Sequence, residues 1–364
     1  MLDSILATLT PAALGRATLM LVGFIATLFV LTKIVPGPKH EGATLRDGTK
    51  RTYKLNGLAI WLLVTAGIGV ATVAFGFSLA PVARHFWPLL VVANVFAFSG
   101  TVLLWLLARR KGLGKDRGAL AGMFYGAELN PTWWGVDLKM FSYKPSLIGL
   151  GVINASFAYL QYETHGTVSQ PMLLFQAFYF IYLTNYFQFE YGMLFTWDII
   201  AENFGWMLVW GDYVLVPFFY CIGGWVMVSR LEPLPAPAAV GLCVMFLCGL
   251  WMFRGANEQK HRYKRDPKAR IWGKPAETIG GKLLVSGFWG IGRHLNYTGE
   301  ITVYLSWTLL TGFQSPWPWL LPAWLISLLT HRAWRDDCRC REKYGPLWDQ
   351  YCQRARFRML PFIY

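Results

Sequence analysis

Apolar residues run along this chain in uninterrupted windows rather than in narrow stripes. Windows of roughly 17 to 25 residues match a helix crossing the hydrocarbon of a bilayer. They predict crossings over residues 11–35, 56–80, 86–108, 146–160, 171–195, 206–228, 236–253, 297–313 and 317–330. Residues 283–292 are apolar but too short to span, and are expected to form a re-entrant or interfacial helix. The pattern predicts an all-α polytopic membrane bundle of nine crossings, with that short piece a candidate tenth. Residues 112–143 mix charges with aromatics and read as an interfacial loop, and the Pro-rich 232–239 as a tight connection between two spans. No separate soluble domain is expected, nor a cleavable signal peptide, because the first apolar stretch is long enough to span and lacks a clear small-residue cleavage site.

Loop charge adds an orientation. Residues 33–54 carry six Lys or Arg against Glu41 and Asp47, and 109–117 carry five against Asp116. Segments 254–282 and 331–364 together hold half of the chain's 34 Lys and Arg. Alternating the crossings puts all four segments on one face, which the positive-inside rule makes cytoplasmic. Composition agrees: 55% of residues are apolar, and charged residues are only 15% against about 25% in a soluble domain. This excludes a disordered chain, a coiled coil or a small secreted module. The net charge of +14 is accounted for by topology and lipid headgroups, so nucleic acid is not an expected partner. Six Cys are too few and too unevenly spaced for a disulfide scaffold and read as reduced thiols.

Four blocks place ionisable groups where a membrane bundle should avoid them. "GAELNPTWWGVDLKMF" brings Glu128, Asn130, Asp137 and Lys139 among Trp133 and Trp134. The second block, residues 189–220, holds Glu190, Asp198, Glu202 and Asp212 with Tyr213 and Tyr220. Asp198 and Glu202, four apart, would share a helical face. Carboxylates at membrane depth cost several kcal/mol unless they face a cavity or partners, so a water- or ligand-filled interior is expected. "RGANEQKHRYKRDP" sets Lys260 and Lys264 on one helical face, where two ammonium groups can meet a phosphate, with Asn257 and Gln259 as hydrogen-bonding groups. In the fourth block, Trp289, Arg293, His294, Asn296 and Tyr297 form an aromatic and basic cluster, and Asp336, Arg339, Arg341, Tyr344 and Tyr351 follow the last span. Basic clusters mixed with Trp, Tyr, Asn and Asp suit a polyanionic nucleotide. A Rossmann or Walker phosphate loop does not fit, since "GFWGIG" has no βαβ context. No metal is expected, because Cys338, Cys340 and Cys352 with His331 match no standard zinc spacing.

From residue 126 to 364 these blocks resemble the intramembrane sterol reductases, the family of Δ14-sterol reductase, 7-dehydrocholesterol (Δ7) reductase, C-24(28) reductase and the membrane part of the lamin B receptor. The motifs that carry the resemblance are "ELNP" with "DLK", "FGWMLVWGD" with "VPFFY", "NEQKHRYKRDP", "SGFWGIGRHLNYTGE", "HRAWRDD" and "KYGPLW". "RIWGKPAETI" and the Trp206–Trp210 pair are most similar to the Δ7 branch. The resemblance implies a single ten-span domain, residues 1–145 supplying amino-terminal spans and the interfacial loop and 146–364 a catalytic half. It also implies NADPH as hydride donor and a sterol entering from the bilayer. Carried over by motif, the NADPH contacts are Lys260, Lys264, Leu284, Trp289, Asn296, Tyr297, Asp336, Cys340, Arg341, Tyr344 and Tyr351; Arg293 and His294 join them from the cluster itself. Lys264 replaces the family's usual Arg, which keeps the charge and loses the bidentate fork.

The expected chemistry is reduction of a sterol ring double bond, Δ7 in the main reading and Δ14 as the alternative. An alkene is a poor hydride acceptor, so protonation to a carbocation precedes hydride transfer; Tyr220 is the expected proton donor or relay, supported by Asp198, Glu202 and Asp212. From other classes, the "RH..Y.G" string also resembles isoprenylcysteine-type membrane methyltransferases, and a sterol-binding scaffold or a transporter could use the same fold. The sterol and membrane lipid are the expected partners. The expected location is the endoplasmic reticulum in a eukaryote or the inner membrane in a bacterium, with the NADPH-facing loops and carboxy terminus cytoplasmic. Oligomeric state is left open.

Overall fold

The computed structural model describes residues 2–115 and 118–360. Asp116 and Arg117 of the second basic loop, and residues 361–364 that close the last motif, lie outside the described residues. The chain forms two compact units, Met1–Ser229 and Arg230–Tyr364.

After a short helix, Leu2–Ala7, the first unit continues with α1 (Pro11–Ile34), started by Thr10, whose hydroxyl accepts from the Ala13 amide at 3.2 Å, and by Pro11 in the first turn. A short hairpin, β1 (Lys39–Glu41) with β2 (Thr52–Lys54), leads to α2 (Gly57–Phe75). Gly76 stops α2 in a left-handed cap at φ 65°, so the helix ends before the residue 80 expected from hydropathy. After α3 (Phe86–Arg110), residues 112–143 are not one loop: a short helix Ala119–Tyr125 and the hairpin β3 (Thr132–Trp133) with β4 (Val136–Asp137) occupy it.

Helix α4 (Leu138–His165) starts eight residues before the expected span at 146. Its start is set by Asp137, whose carboxylate accepts from the amides of Lys139 and Met140 at 3.1 and 3.0 Å. Almost every residue from Lys139 to Gly151 is buried, so α4 is the axis of the unit. Gly151 lets the Trp61 ring lie against the helix, where a Cβ would come within 2.6 Å of it. Helix α5 (Gln170–Gln188) ends earlier than expected because a 3-10 turn, Glu190–Phe195, follows. Helix α6 (Trp206–Met227) is not uniform: Gly211–Phe219 is a wide π turn with Pro217 inside, where the missing proline N–H interrupts the ordinary helical ladder.

In the second unit α7 (Ala236–Arg265) is 30 residues long, about 45 Å at 1.5 Å per residue, against a hydrocarbon core of about 30 Å. Its polar end is therefore a continuation of the apolar helix, and "NEQKHRYKR" is helical. Two hairpins follow, β5 (Arg270–Ile271) with β6 (Lys274–Pro275), and β7 (Thr278–Ile279) with β8 (Leu283–Leu284). The expected re-entrant helix at 283–292 is thus a strand followed by one turn, Phe288–Ile291; Gly287 at φ 63° breaks the run between them. Helix α8 (Leu295–Leu310) packs along α7 at glycines: a Cβ on Gly299 would meet the Gly249 carbonyl at 2.7 Å. Helix α9 (Leu320–Tyr344) carries the last apolar window and the basic tail in one piece, and α10 (Pro346–Arg354) folds back after Gly345.

Among the described residues, five helices are long and apolar enough to cross a membrane: α1, α2, α3, α6 and α7. The others carry too many polar groups or too few residues to qualify on hydropathy alone. All six Cys are free thiols.

Candidate active site

In the second unit, α7, β8, the Phe288–Ile291 turn, α8, α9 and α10 bring the nucleotide-type residues together. The indole N–H of Trp289 donates to the Ala256 carbonyl of α7 at 2.7 Å, and the Tyr351 hydroxyl donates to the Trp289 carbonyl at 3.3 Å. The ring is thereby fixed, and the exposed Lys260 ammonium lies 4.5 Å from its centroid. Leu284 packs beneath with Tyr263 and Ile271. Asn296 Nδ2 donates to Asn257 Oδ1 at 3.1 Å, and Tyr297 donates to Asp336 at 3.3 Å. His294 stacks on Tyr297 with centroids 5.0 Å apart. Cys340 and Tyr344 pack against the cluster of Tyr351 and Trp348. Lys264 is exposed one turn beyond Lys260, and Arg341 is exposed and paired with Asp349 at 3.5 Å.

Among the described residues, Asn296 Oδ1 and His294 Nε2 of this cluster are buried without a hydrogen-bond partner. A buried acceptor without a donor costs about 1–3 kcal/mol, so the cluster is unfinished by its own chain. The Lys260 and Lys264 cations, a fixed aromatic platform and the unsatisfied Asn296 Oδ1 and His294 Nε2 fit the phosphates, rings and hydroxyls of a dinucleotide.

Arg293 departs from its expected role. Its guanidinium is buried, donates to the carbonyls of Ala355 and Arg356 at 2.9 and 3.2 Å, and pairs with Asp337 at 3.4 Å. It clamps residues 355 and 356 to the start of α8. Asp337, passed over in the sequence beside Asp336, is the buried acid of that clamp and also pairs with Arg358 at 3.3 Å. The doubled acid in "WRDD" was its only signal.

Burial, with Lys260, Arg293 and Arg358 adding positive charge, pushes the His294 pKa down to about 3. The imidazole is therefore neutral in the folded protein, while an unfolded His protonates near pH 6.5. Between these values the unfolded chain holds the extra proton, so stability is full above about pH 6.5 and declines as pH falls toward 3. Thermal unfolding followed by tryptophan fluorescence should show this loss, and His294→Gln should flatten its slope.

The first unit holds the carboxylates. Asp198 and Glu202 do not share a helical face, because the helix ends at Ile200 and Ala201 leaves it at φ −134°. Their backbone carbonyls instead converge on Lys139, whose buried ammonium donates to both at 2.6 Å. Burial pulls the Lys139 pKa down to about 8, against the attraction of Asp137, Asp198 and Glu202. The Glu202 carboxylate accepts from the Trp197 indole at 2.8 Å. Asp212, at the start of the π turn, feels the charges of Asp198 and Lys139. Tyr220 closes the other end of that turn, where its carbonyl accepts from the Tyr179 hydroxyl. Lys139, absent from the expected catalytic set, ties the acidic loop to α4; "DLK" marked it only as part of a polar block. The spacing of Tyr179, Tyr182 and Tyr186 along α5, buried or half-buried toward these groups, was legible as a helical face but not as part of the site.

Comparison with known proteins agrees with these motifs. The model of the ergosterol biosynthesis ERG4/ERG24 family matches residues 6–364. A protein named Delta(14)-sterol reductase from Arabidopsis thaliana is 38% identical over 371 residues, covering 100% of both chains. One of the same name from Methylotuvimicrobium alcaliphilum is 40% identical, covering 90% of this chain and 79% of its own. Another, from Dictyostelium discoideum, is 38% identical over 91% of this chain and 74% of its own. With the family's motifs present from residue 126 onward and the match running through both units, the chain belongs to the ERG4/ERG24 family of intramembrane sterol reductases and is an oxidoreductase.

Proposed function

We propose that this protein reduces the Δ14 double bond of a sterol, with NADPH as the reductant. The observation that carries the reading is near-full-length similarity to three proteins from a plant, a bacterium and an amoeba, each named Delta(14)-sterol reductase. These names favour Δ14 over the Δ7 reading, for which the "RIWGKPAETI" string remains the specific observation.

NADPH, when bound, supplies the hydride. Lys260 and Lys264 meet its phosphates, Trp289 supports a ring, and Asn296 and Tyr297 hydrogen-bond its polar edges. Leu284, Asp336, Cys340, Arg341, Tyr344 and Tyr351 complete the wall, with His294 held neutral behind it. The chain's own chemical task is the proton: Tyr220 delivers it to the alkene or relays it, and the Asp198, Glu202 and Asp212 carboxyls replenish it. One proton and one hydride add across the double bond, so the product gains two hydrogens. The sterol enters laterally from the bilayer. The family's ten spans, a cytoplasmic face for the basic segments, and residence in the endoplasmic reticulum or a bacterial inner membrane belong to the same proposal.

The test is anaerobic turnover of purified protein in detergent with NADPH, offering a Δ8,14-diene sterol and 7-dehydrocholesterol side by side, with products identified by mass spectrometry. Reduction of the diene alone is expected; reduction of 7-dehydrocholesterol alone restores the Δ7 reading. Lys260→Ala should raise the KM for NADPH about 10- to 100-fold, the worth of one charge-assisted contact, with a smaller change in kcat. Lys260→Arg should recover part of it, and steady-state kinetics at saturating sterol would read both.

A further inference from the structure

A second basic cavity lies within the first unit, built of residues that the proposed reaction does not use. Its volume is about 460 Å³. Lys33, Arg51, Lys54 and Lys144 line it, with Asp137 as the acid on its wall and Trp134 at its rim. Arg51 pairs with Asp137 at 3.2 Å, and Lys144, 2% exposed, has Glu190 at 3.8 Å. Lys33 and Lys54 have no carboxylate within ion-pairing distance among the described residues; their ammonium groups donate to carbonyls of Trp134, Lys33 and Val35 at 2.7 to 3.2 Å. Lys54 and Lys144 also repel one another across the cavity. Four cations against two acids leave an excess of two positive charges around a partly enclosed space, an arrangement that an anion relieves.

Its depth follows from the chain. Lys33 stands in the last turn of α1 and Lys54 just before α2, so the cavity lies where two membrane-crossing helices end, at headgroup level. Trp134 is held over it by a tight hairpin turn, at φ 47° with Gly135 at 77°, and is 70% exposed while stacked on Trp133 at 4.7 Å. Exposed paired indoles beside unpaired lysines at that depth suit the boundary between headgroup and acyl chain.

We infer that this cavity binds a phosphate group, with Lys33 and Lys54 as its principal cations and Trp134 as its lid. The phosphate belongs either to an anionic phospholipid of the surrounding leaflet or to a soluble phosphate. The test uses full-length protein in detergent and measures binding of dioctanoyl phosphatidylglycerol, dioctanoyl phosphatidylcholine and inorganic phosphate by thermal shift and calorimetry. Phosphatidylglycerol is expected to bind, with affinity at least ten-fold weaker in Lys33→Gln and Lys54→Gln. Lys50→Gln, whose exposed ammonium pairs with Glu41 at 2.6 Å outside the cavity, should bind as the parent does. Inorganic phosphate competing at similar affinity would assign the soluble source, and failing to compete would assign the lipid. Equal binding of phosphatidylcholine, or unchanged affinity in Lys33→Gln and Lys54→Gln, overturns the inference. Should Lys54→Gln fail to fold for want of its carbonyl contacts, Lys33→Gln and Trp134→Ala decide it alone.

Discussion

Tyr220→Phe is expected to lower kcat by about a hundred-fold or more while leaving the KM for NADPH unchanged, because a positioned proton donor contributes roughly 10²–10⁴ in rate. The substitution removes one hydroxyl and no packing volume. Backbone position is held independently of that hydroxyl, since it is the Tyr220 carbonyl that accepts from Tyr179. A fall in kcat can therefore be assigned to the lost proton, and a matching Tm for parent and variant would establish that the fold is intact. Full turnover by the Phe variant would remove the role from Tyr220 and pass it to the carboxyls; Asp212→Asn would then be the variant to measure. The π turn gives the pair its spacing: Asp212 and Tyr220 stand at its two ends.

Arg293→Ala is expected to destabilise the second unit by about 3–5 kcal/mol, the cost of breaking one partner out of a buried ion pair. Two hydrogen bonds go at once, to the carbonyls of Ala355 and Arg356, together with the ionic pairing to Asp337 at 3.4 Å. What remains is a buried carboxylate held by Arg358 alone. The same segment is stitched to α8 by the Arg293 amide, which donates to Phe357 at 3.0 Å, and by Thr298, which donates to the Met359 carbonyl at 2.8 Å. Loosening it would loosen Tyr351 and its grip on Trp289, so NADPH affinity should fall together with the unfolding temperature. Thermal unfolding of Arg293→Ala and Arg293→Lys in detergent checks this; the Lys variant keeps the charge and loses the fork, and should lie between. An unchanged Tm in the Ala variant would mean that the clamp is dispensable.

Much of the architecture was legible without coordinates. Apolar windows located α1, α3 and α7 to within two residues at their starts, because a bilayer demands a length and a composition that no soluble helix needs. Helix ends were less legible. Gly76, Gly287 and the amides capped by Asp137 moved boundaries by several residues, since caps are single-residue events inside otherwise uniform runs. For the site, motif and chemistry grouped Lys260, Trp289, Asn296, Tyr297, Asp336 and Tyr351, which the fold places in one neighbourhood. The same reading did not show that Arg293 is tied to the carbonyls of residues 355 and 356, because a sequence records a charge and not the partners its side chain meets.

Membrane residence, the basic segments and family membership were determined by the sequence alone, each being a property of local runs or of contiguous motifs. Only the tertiary structure decided the rest. Lys139 reaches the carbonyls of a loop some sixty residues away; Asp337 becomes the centre of a clamp; Lys33 and Lys54 meet around a shared cavity. The physical reason is the same in each case. A polar group buried in an apolar bundle must be satisfied by whatever donor or acceptor the fold brings beside it, and that partner is chosen by packing between helices distant in the chain.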